Sequence, residues 1–520
     1  MKAVRALVLA CAFALLAAGP ASADDFAGHH RQVFGVVVVR GLGIADLPGL
    51  ASEGAIGLLV PNAGPRTSQR DAFAGMVRGI LYNSRLPKPR DAVLIHVRWS
   101  SSIPLHGPVI VVGLPPPRSV RNDDRYPIAV IGPGYHGVLD SSLTRVPGVV
   151  SMADVARTAL QVPHALTSRP EGGNAATLYR LEEQIETARS STMAATVVLL
   201  ALLAFAALLR PAAAPAAVGS ALLANLALGW MPGGDAAPRV VLLGLLTAAG
   251  AWLGVHSVRG GTPLGVALVG VLAAYAVTMV VHPWALSLAP LGPELTSRFY
   301  GVSNLLETLL LVPALLGARL LGARFGLAAV AGVGLLTLTA MAENRFGDDG
   351  GGAIVVGVAF ALLGVGMSGA PRRLALPALA VAGLAVFALV QIDVATSSHD
   401  HLRGALEGGV RGIAHVAANR VPLAYTRSLD QWYLMFPFLA ALALGIAFVR
   451  SARSRGDAAL MLALLAALGI SMLVNDSPGA VTLAGLTAVL AVEGGLVQRR
   501  LVLPLAHSLE AVVRSPRPQE

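Results

Sequence analysis

Residues 181–210, LEEQIETARSSTMAATVVLLALLAFAALLR, decide how the chain is read. Leu181, Glu182, Glu183, Ile185 and Glu186 open it in a charged, helical pattern. Met193 to Leu209 then contains no ionisable side chain and approaches the roughly 20 residues that cross a bilayer as a helix. The pattern predicts a helical stalk over 178–192 that runs into a first membrane span. It divides the chain into a globular part before it and an apolar part after it.

Composition points the same way. Of 520 residues, 55% are hydrophobic and 13% charged, with a mean hydropathy of +0.68. Soluble domains carry about twice that share of charge, so the chain reads as an integral membrane protein. The formal charge of +10 is almost wholly arginine, since Lys2 and Lys88 are the only lysines. Much of it falls in short connectors between apolar runs, which suits topology control and excludes a nucleic-acid partner. Residues 1–23 have a basic start (Lys2, Arg5), an apolar stretch and Ala21-Ser22-Ala23 before Asp24, as a secretory signal peptide does. Cys11, the one cysteine, lies inside it, leaving no thiol for a disulfide or a metal.

Residues 24–177 predict one α/β domain. Four consecutive valines, Val36 to Val39, suit a parallel strand buried on both faces. Further strands are expected over 55–60, 92–97, 109–113 and 128–132, and helices from near Ser68 and near Ser151, the latter with Asp154 as a capping-box acid. Ligands of such sheets bind beyond the carboxyl ends of the strands, which singles out Arg40, Thr67, His96 and the loop after Gly113.

The segments VVVVRGL (36–42), LASEGAIG (50–57), Thr67-Ser68, YPIAVIGPG (126–134) and TRVPGVVSMADV (144–155) resemble a shortened domain of the alkaline-phosphatase superfamily. The resemblance implies a two-metal site with a Thr or Ser nucleophile. Arg40, however, stands where that superfamily has a metal-binding aspartate, and no Asp-His follows the strand at 109–112. Thr67 or Ser68 then matches the nucleophile with no metal or base to activate it, Arg40 and Thr67 mark the degenerate site, and the domain reads as an extracytoplasmic pseudoenzyme.

After the stalk, about eleven apolar segments predict an all-α polytopic membrane domain over 193–500 and a cytoplasmic tail over 501–520. With the first domain exported, Arg210, Arg259, Arg319, Arg324, Arg372, Arg373, Arg450, Arg453, Arg455, Arg499 and Arg500 all fall on the cytoplasmic side. The opposite connectors are polar: PELTSRFYGVSN (293–304), ENRFGDDGGG (343–352), DVATSSHDH (393–401) and NDSP (475–478). Ionisable groups at the edge of a bilayer are costly unless they are hydrated, paired or functional.

These four stretches resemble those of a family of many-helix bacterial membrane proteins that fuse a signal and an alkaline-phosphatase-like domain to the membrane part. The match rests on Arg298 to Asn304, Gly347 to Gly352, Ser398-His399 and Asn475 to Ser477, and implies the architecture without a reaction.

Read as chemistry, Asp348 and Asp349 could hold Mg²⁺ or Mn²⁺ together with substrate phosphate oxygens. Arg298 and Arg345 suit the remaining phosphate charge, and His399 suits acid–base work oriented by Asp393 or Asp476. Tyr300, Asn304, Glu307, Glu343, Gly351 and Gly352 complete the expected substrate-binding set, with Asn304 and Glu307 on one helical face. The expected partners are membrane lipids and a lipid-linked or phosphate-bearing envelope substrate, handled by a glycosyl- or phospho-transferase. The alternatives are a non-catalytic receptor or scaffold using the pseudophosphatase domain, and a transporter or flippase. The expected location is the plasma membrane. An amphipathic helix is expected over 402–429.

Overall fold

The valines of the first strand are all buried, Val36 and Val38 on one face and Val37 and Val39 on the other. The computed structural model describes residues 33–63, 66–79, 95–103, 107–162, 165–170, 175–231, 233–257, 260–293, 295, 299–342, 350–369, 377, 383–384, 432–474 and 478–513. The strands are β1 (Gly35–Val39), β2 (Ala55–Val60), β3 (Arg66–Thr67), β4 (Val97–Ser100), β5 (Val109–Val112), β6 (Val120–Arg121), β7 (Tyr126–Ile131), β8 (Gly137–Ser141), β9 (Val149–Ser151) and β10 (Leu166–Arg169). Eight form one sheet in the order β10-β8-β2-β7-β5-β1-β4, with β9 beside β2, and β3 pairs with β6 separately.

β1 is parallel to both β4 and β5, as its apolar run predicts. β7 and β10 are antiparallel to their neighbours, so the sheet is mixed. The strand expected over 92–97 instead occupies Val97–Ser100, where the register pairs Val36 with Val97 and Val39 with Ser100. Helices α1 (Leu47–Ala51), α2 (Gln69–Arg78), α3 (Met152–Ala159) and α4 (Ala175–Leu209) complete the domain. One face of the sheet buries Ala72 and Met76 of α2 with Val155 and Ala156 of α3. The other buries Leu47 and Leu50 of α1 with Leu178 of α4.

Both expected helix starts form and are capped, the second with the expected acid. Ser68 accepts from Asp71 N at 3.2 Å. Ser151 accepts from Ala153 N at 3.2 Å, while Asp154 Oδ2 accepts from Ser151 N at 2.9 Å and Ser141 Oγ at 2.7 Å.

The charged part of α4 lies against the domain rather than standing free as a stalk. Arg125 donates to Glu182 through Nε at 2.5 Å and Nη2 at 2.7 Å. Tyr179 Oη donates to Ile44 O at 3.0 Å, and Arg189 donates to the backbone oxygens of Asn122 and Asp123 at 3.2 Å. The helix then continues unbroken into the membrane part, for about 52 Å in all at 1.5 Å per residue.

The C-terminal region is mostly helical: α5 (Ala214–Trp230), α6 (Ala236–Ser257), α7 (Gly261–Val281), α8 (Asn304–Leu311), α9 (Gly317–Phe325), α10 (Leu327–Ala342), α11 (Gly350–Met367), α12 (Met435–Ser451), α13 (Arg455–Val474) and α14 (Pro478–Val513). Among the described residues seven helical segments are long and apolar enough to cross a membrane: Ala175–Leu209, Pro211–Trp230, Ala236–Ser257, Gly261–Val281, Asn304–Phe325, Arg455–Leu473 and Gly479–Leu496. Leu327–Met341, Gly352–Met367 and Met435–Ser451 are shorter apolar helices. Outward-facing Phe205, Leu208, Leu245, Trp252, Val280 and Phe436 are each at least 61% exposed, a surface that suits lipid and not water. The chain is thus a membrane protein. The expected signal peptide, most of the segment at 374–392 and the helix expected over 402–429 lie outside the described residues.

The α8–α9 rod is buried almost throughout and forms the centre of the bundle. Its halves meet in a π-helical turn, Val312–Leu316, which contains Pro313. Proline has no N–H to donate, and the widened turn accommodates the missing bond without breaking the rod. Near the far end of the rod, Arg319 Nη2 lies 3.0 Å from Asp457 Oδ1, with both side chains buried. Gly456 makes room for the guanidinium, since a Cβ there would lie 2.7 Å from Arg319 Nε. Arg319, read from sequence as one of the charges that set topology, therefore also has a packing role.

Two outcomes are expected. Arg319→Ala strands a buried carboxylate and should cost about 3–5 kcal/mol, whereas Arg319→Met with Asp457→Leu should recover most of the loss. Thermal denaturation of the purified protein in detergent measures both. Burial pushes the Asp154 carboxyl up from 3.8 to about 7, against the lowering effect of its hydrogen bonds and of Arg157. Folding therefore favours its protonated form, a contribution fully present below the ordinary value of 3.8 and lost as pH rises through 7. Hydrogen exchange around residues 141–158 should quicken from pH 4 to 8 beyond the intrinsic rate change, and Asp154→Asn should flatten that dependence.

Candidate functional site

β1 ends at Val39, and Arg40 N still donates to Ser100 O at 3.0 Å, which holds Arg40 at the carboxyl edge of the sheet. A cleft of about 490 Å³ opens there, lined by Val38, Val39, Arg40, Gly41, Gln69, Trp99, Leu114 and Pro117. It lies where the sequence places a ligand, at Arg40 and the loop after Gly113. The Arg40 guanidinium is 6.0 Å from the centroid of the Trp99 ring, and Trp99 in turn stacks on Phe73 at 5.7 Å. No carboxylate lines the cleft, so it does not fit the two-metal site implied by the phosphatase resemblance. Thr67 is 1% exposed, and its hydroxyl has no hydrogen-bond partner among the described residues, so no base stands beside it to make it a nucleophile. His96 and His136 are exposed.

A second candidate region lies where the α/β domain meets the bundle. The connection from α7 to α8 is a short 3-10 helix, Pro283–Leu288, followed by irregular chain, yet Leu286, Leu288, Leu291, Leu295, Phe299, Tyr300 and Val302 are all buried. Buried irregular backbone needs partners for its polar groups. Arg239 Nη2 donates to Leu228 O at 2.8 Å and Leu288 O at 2.7 Å. Asn225 Oδ1 accepts from Leu291 N at 2.9 Å, Ser287 Oγ donates to Phe299 O at 2.5 Å, and Ser303 Oγ donates to Leu291 O at 2.8 Å. At Gly292 a Cβ would come within 2.0 Å of Leu286 O, so only glycine permits this path.

On this connection sits the α/β domain. Val60, Val146, Val149 and Ile185 cluster with Leu288, Leu295, Phe299 and Tyr300. The Arg145 guanidinium lies 4.4 Å from the centroid of the Tyr300 ring. Three non-glycine residues have left-handed backbones among the described residues, and two of them, Arg145 (φ 52°) and Leu295 (φ 54°), belong to the two sides of this contact. Beside it the rings of Trp230, His282 and Trp284 meet in turn at 4.7 and 4.2 Å, tilted by 44° and 46°, in the manner of side chains at a water–lipid boundary.

The expected substrate residues that are described fall at this end of the bundle. Asn304 and Glu307 share the buried first turn of α8, whose N-cap is Ser303, accepting from Leu306 N at 3.3 Å. Gly351 and Gly352 lie in the first turn of α11. The opposite end of the bundle is marked by Arg319 against Asp457, Gly366 against Ala459, Gly322 against Val330 and Met367, and Gly494 against Pro211. The start of α8, the end of α10, the start of α11, the end of α13 and the start of α14 therefore lie at the end that carries the α/β domain. Arg298, Glu343, Arg345, Asp348, Asp349, Asp393, His399 and Asp476 lie outside the described residues.

Among the described residues no three His, Cys, Asp or Glu side chains lie close enough to hold a metal ion. Compared with protein-family models, curated proteins and solved structures, the chain matches none. Sequence reasoning missed Arg239, Asn225 and Arg145, whose partners are far away in the chain. The sequence signal that could have found Arg239 is a lone arginine just inside an apolar helix at the end away from the arginine-rich connectors.

A double-mutant cycle on Arg145→Ala and Tyr300→Leu should give a coupling of about 0.5–2 kcal/mol. It is read from hydrogen exchange at residues 144–150 and 299–303. Tyr300→Phe should keep most of the coupling because the ring face remains. Additive single effects would remove the contact as a docking determinant.

Proposed function

We propose that the protein is a multi-pass protein of a bacterial plasma membrane that handles a lipid-linked or phosphate-bearing envelope substrate at the outer water–lipid boundary, as a glycosyl- or phospho-transferase. In this reading about eleven spans cross the bilayer, the α/β domain is extracytoplasmic and the C-terminus is cytoplasmic. The observation that carries it is that the described helix ends beside three of the four polar sequence stretches, 293–304, 343–352 and 475–478, lie at the end of the bundle that carries the α/β domain. A lipid-anchored substrate and a soluble acceptor can meet there and nowhere deeper.

The chemistry follows from the residue types. Asp348 and Asp349 would bind a divalent cation, which would neutralise phosphate oxygens as a Lewis acid. Arg298 and Arg345 would pair the remaining phosphate charge, and Asn304 and Glu307 would orient the group entering the bundle. His399, set by Asp393 or Asp476, would move the proton of the acceptor hydroxyl. The α/β domain, in this reading a degenerate phosphatase, would present the acceptor rather than react with it. A receptor or scaffold reading is favoured by one observation, the burial of Thr67 without a base.

Lipid extracts separate the two. Cells lacking the protein and cells carrying Asp349→Asn should both accumulate a lipid-linked precursor relative to wild type. An unchanged lipid profile in both strains sinks the transferase reading and leaves the scaffold.

A further inference from the structure

Helix α3 is buried on its polar side as well as on its apolar one. Met152, Val155, Ala156 and Ala159 enter the sheet core, while Asp154, Arg157 and Thr158, at i, i+3 and i+4, share the opposite face. None of these three is more than 8% exposed. Asp154 Oδ2 is occupied, accepting from Ser151 N and Ser141 Oγ. The rest of the face is not: Asp154 Oδ1, Arg157 Nε, Arg157 Nη2 and Thr158 Oγ1 have no hydrogen-bond partner among the described residues. Arg157 has no ion pair among them either. A guanidinium withdrawn from water with both N–H groups of one edge unused is costly, and that edge marks where a compensating group belongs.

Charge says what kind of group it is. Asp154 is the one charged group that acts on Arg157, and Arg157 the one that acts on Asp154, among the described residues. β1 and β9, which pack on α3, have no ionisable side chain. On α2, Asp71 accepts from Ser68 Oγ, Arg78 donates to Ala74 O and Arg70 is exposed. In the turn after β8, Arg145 lies over the Tyr300 ring, and Asp140 of β8 pairs with Arg169. Burial raises the Asp154 carboxyl from 3.8 to about 7 and lowers the Arg157 guanidinium from 12.5 to about 10. Below pH 7 the pair therefore has a buried positive charge without a counter-charge.

We infer that this face of α3 encloses a small monovalent anion of halide size, held by Arg157 Nε and Nη2 and by the Thr158 hydroxyl. Asp154 takes one proton from solvent as the anion enters, and its Oδ1 becomes a further donor, so the filled site is neutral. Water alone would meet the donors but leave the charge. The site goes beyond the preceding reading and rests on none of the bundle residues.

The full-length protein in phosphatidylcholine nanodiscs, titrated with sodium chloride against sodium gluconate at constant ionic strength, tests the site through hydrogen exchange of residues 152–160. A bound anion slows exchange from the open state, so at pH 6 chloride at about ten times its Kd should slow it about tenfold relative to gluconate. One proton taken up per anion makes the apparent chloride affinity fall about tenfold from pH 6 to pH 8. Asp154→Asn, neutral at both pH values and still a donor, should bind chloride equally at the two, which a merely structural Asp154 would not produce. Arg157→Gln should lose the chloride effect. Exchange in wild type that ignores chloride at pH 6 up to about 100 mM leaves only water at the site and overturns the inference. An unchanged chloride effect in a folded Arg157→Gln protein overturns it too, as does equal chloride affinity of wild type at pH 6 and pH 8. Should Arg157→Gln not fold, the comparison of wild type with Asp154→Asn decides alone.

Discussion

An irregular segment buried at the end of a membrane bundle has to satisfy its backbone from within the protein, and the 283–303 connection depends on that requirement. Water cannot reach its inner carbonyls and amides, and each one left unpaired would cost on the order of a few kcal/mol. Four side chains meet the demand. Arg239 joins the end of α5 to Leu288 through two carbonyls, Asn225 takes Leu291 N, and Ser287 and Ser303 tie the returning strand of the connection back onto itself. Asn225 is in turn held by Tyr275, whose hydroxyl donates to Leu222 O at 3.0 Å. The described residues of the connection, 283–293, 295 and 299–303, are thereby tied to the helices and to one another, which suits a second domain docking in one orientation.

α4 supplies the other half of that geometry. A flexible linker would leave the α/β domain free to tumble above the bundle, but one continuous helix contributes Leu178 to the domain core, Ile185 to the interdomain cluster and Leu199 to the bundle core. The Arg125–Glu182 and Arg189–Asp123 pairs fix the rotation of the helix about its own axis. Rotation and height are thus both set before Arg145 meets Tyr300, so that cation–π contact need contribute little affinity to be formed. The left-handed φ at Arg145 and Leu295 has the same logic: strain of the order of a kcal/mol is tolerated where the surrounding packing already determines the backbone.

What could be read from sequence divides along the same line between local and distant causes. The four valines of β1, the run at 55–60, the helix starts near Ser68 and Ser151 and the capping acid Asp154 act through neighbours a few residues away, and the structure has each of them. The apolar runs likewise announce helices because hydrophobic length is a local property. The antiparallel direction of β7 is not local, since the same apolar strand could be laid down either way and the connection through β6 decides. Arg319 reads as a connector charge until Asp457, 138 residues later, is placed beside it. Tyr300 reads as a substrate contact, and its pairing with Arg145 becomes visible only once that turn is set over its ring. The chemistry-bearing residues that could be read as motifs, and that the structure describes, are those at helix starts, because a helix start has both a sequence signature and a fixed position in the bundle.

The two candidate regions also differ in what the fold does with charge, and the difference bears on how they could work together. At the start of α8 the bundle buries a carboxylate, Glu307, one turn below a capping serine, where desolvation is expensive and a side chain is retained only with compensation. At the carboxyl edge of the sheet the domain leaves Arg40 without an acidic partner among the described residues, at the surface, where solvation is cheap and the field reaches outward by about a Debye length, roughly 8 Å at physiological salt. Burial confines an acid to surroundings that compensate it, whereas exposure leaves a cation to solvent. The packing of Val60, Val149 and Ile185 on Leu288 and Tyr300, with Arg145 against the Tyr300 ring, sets the carboxyl end of β2 on the same end of the bundle that holds the start of α8. The two charged features therefore belong to the same end of the molecule, and α4, which packs in both cores, keeps them there.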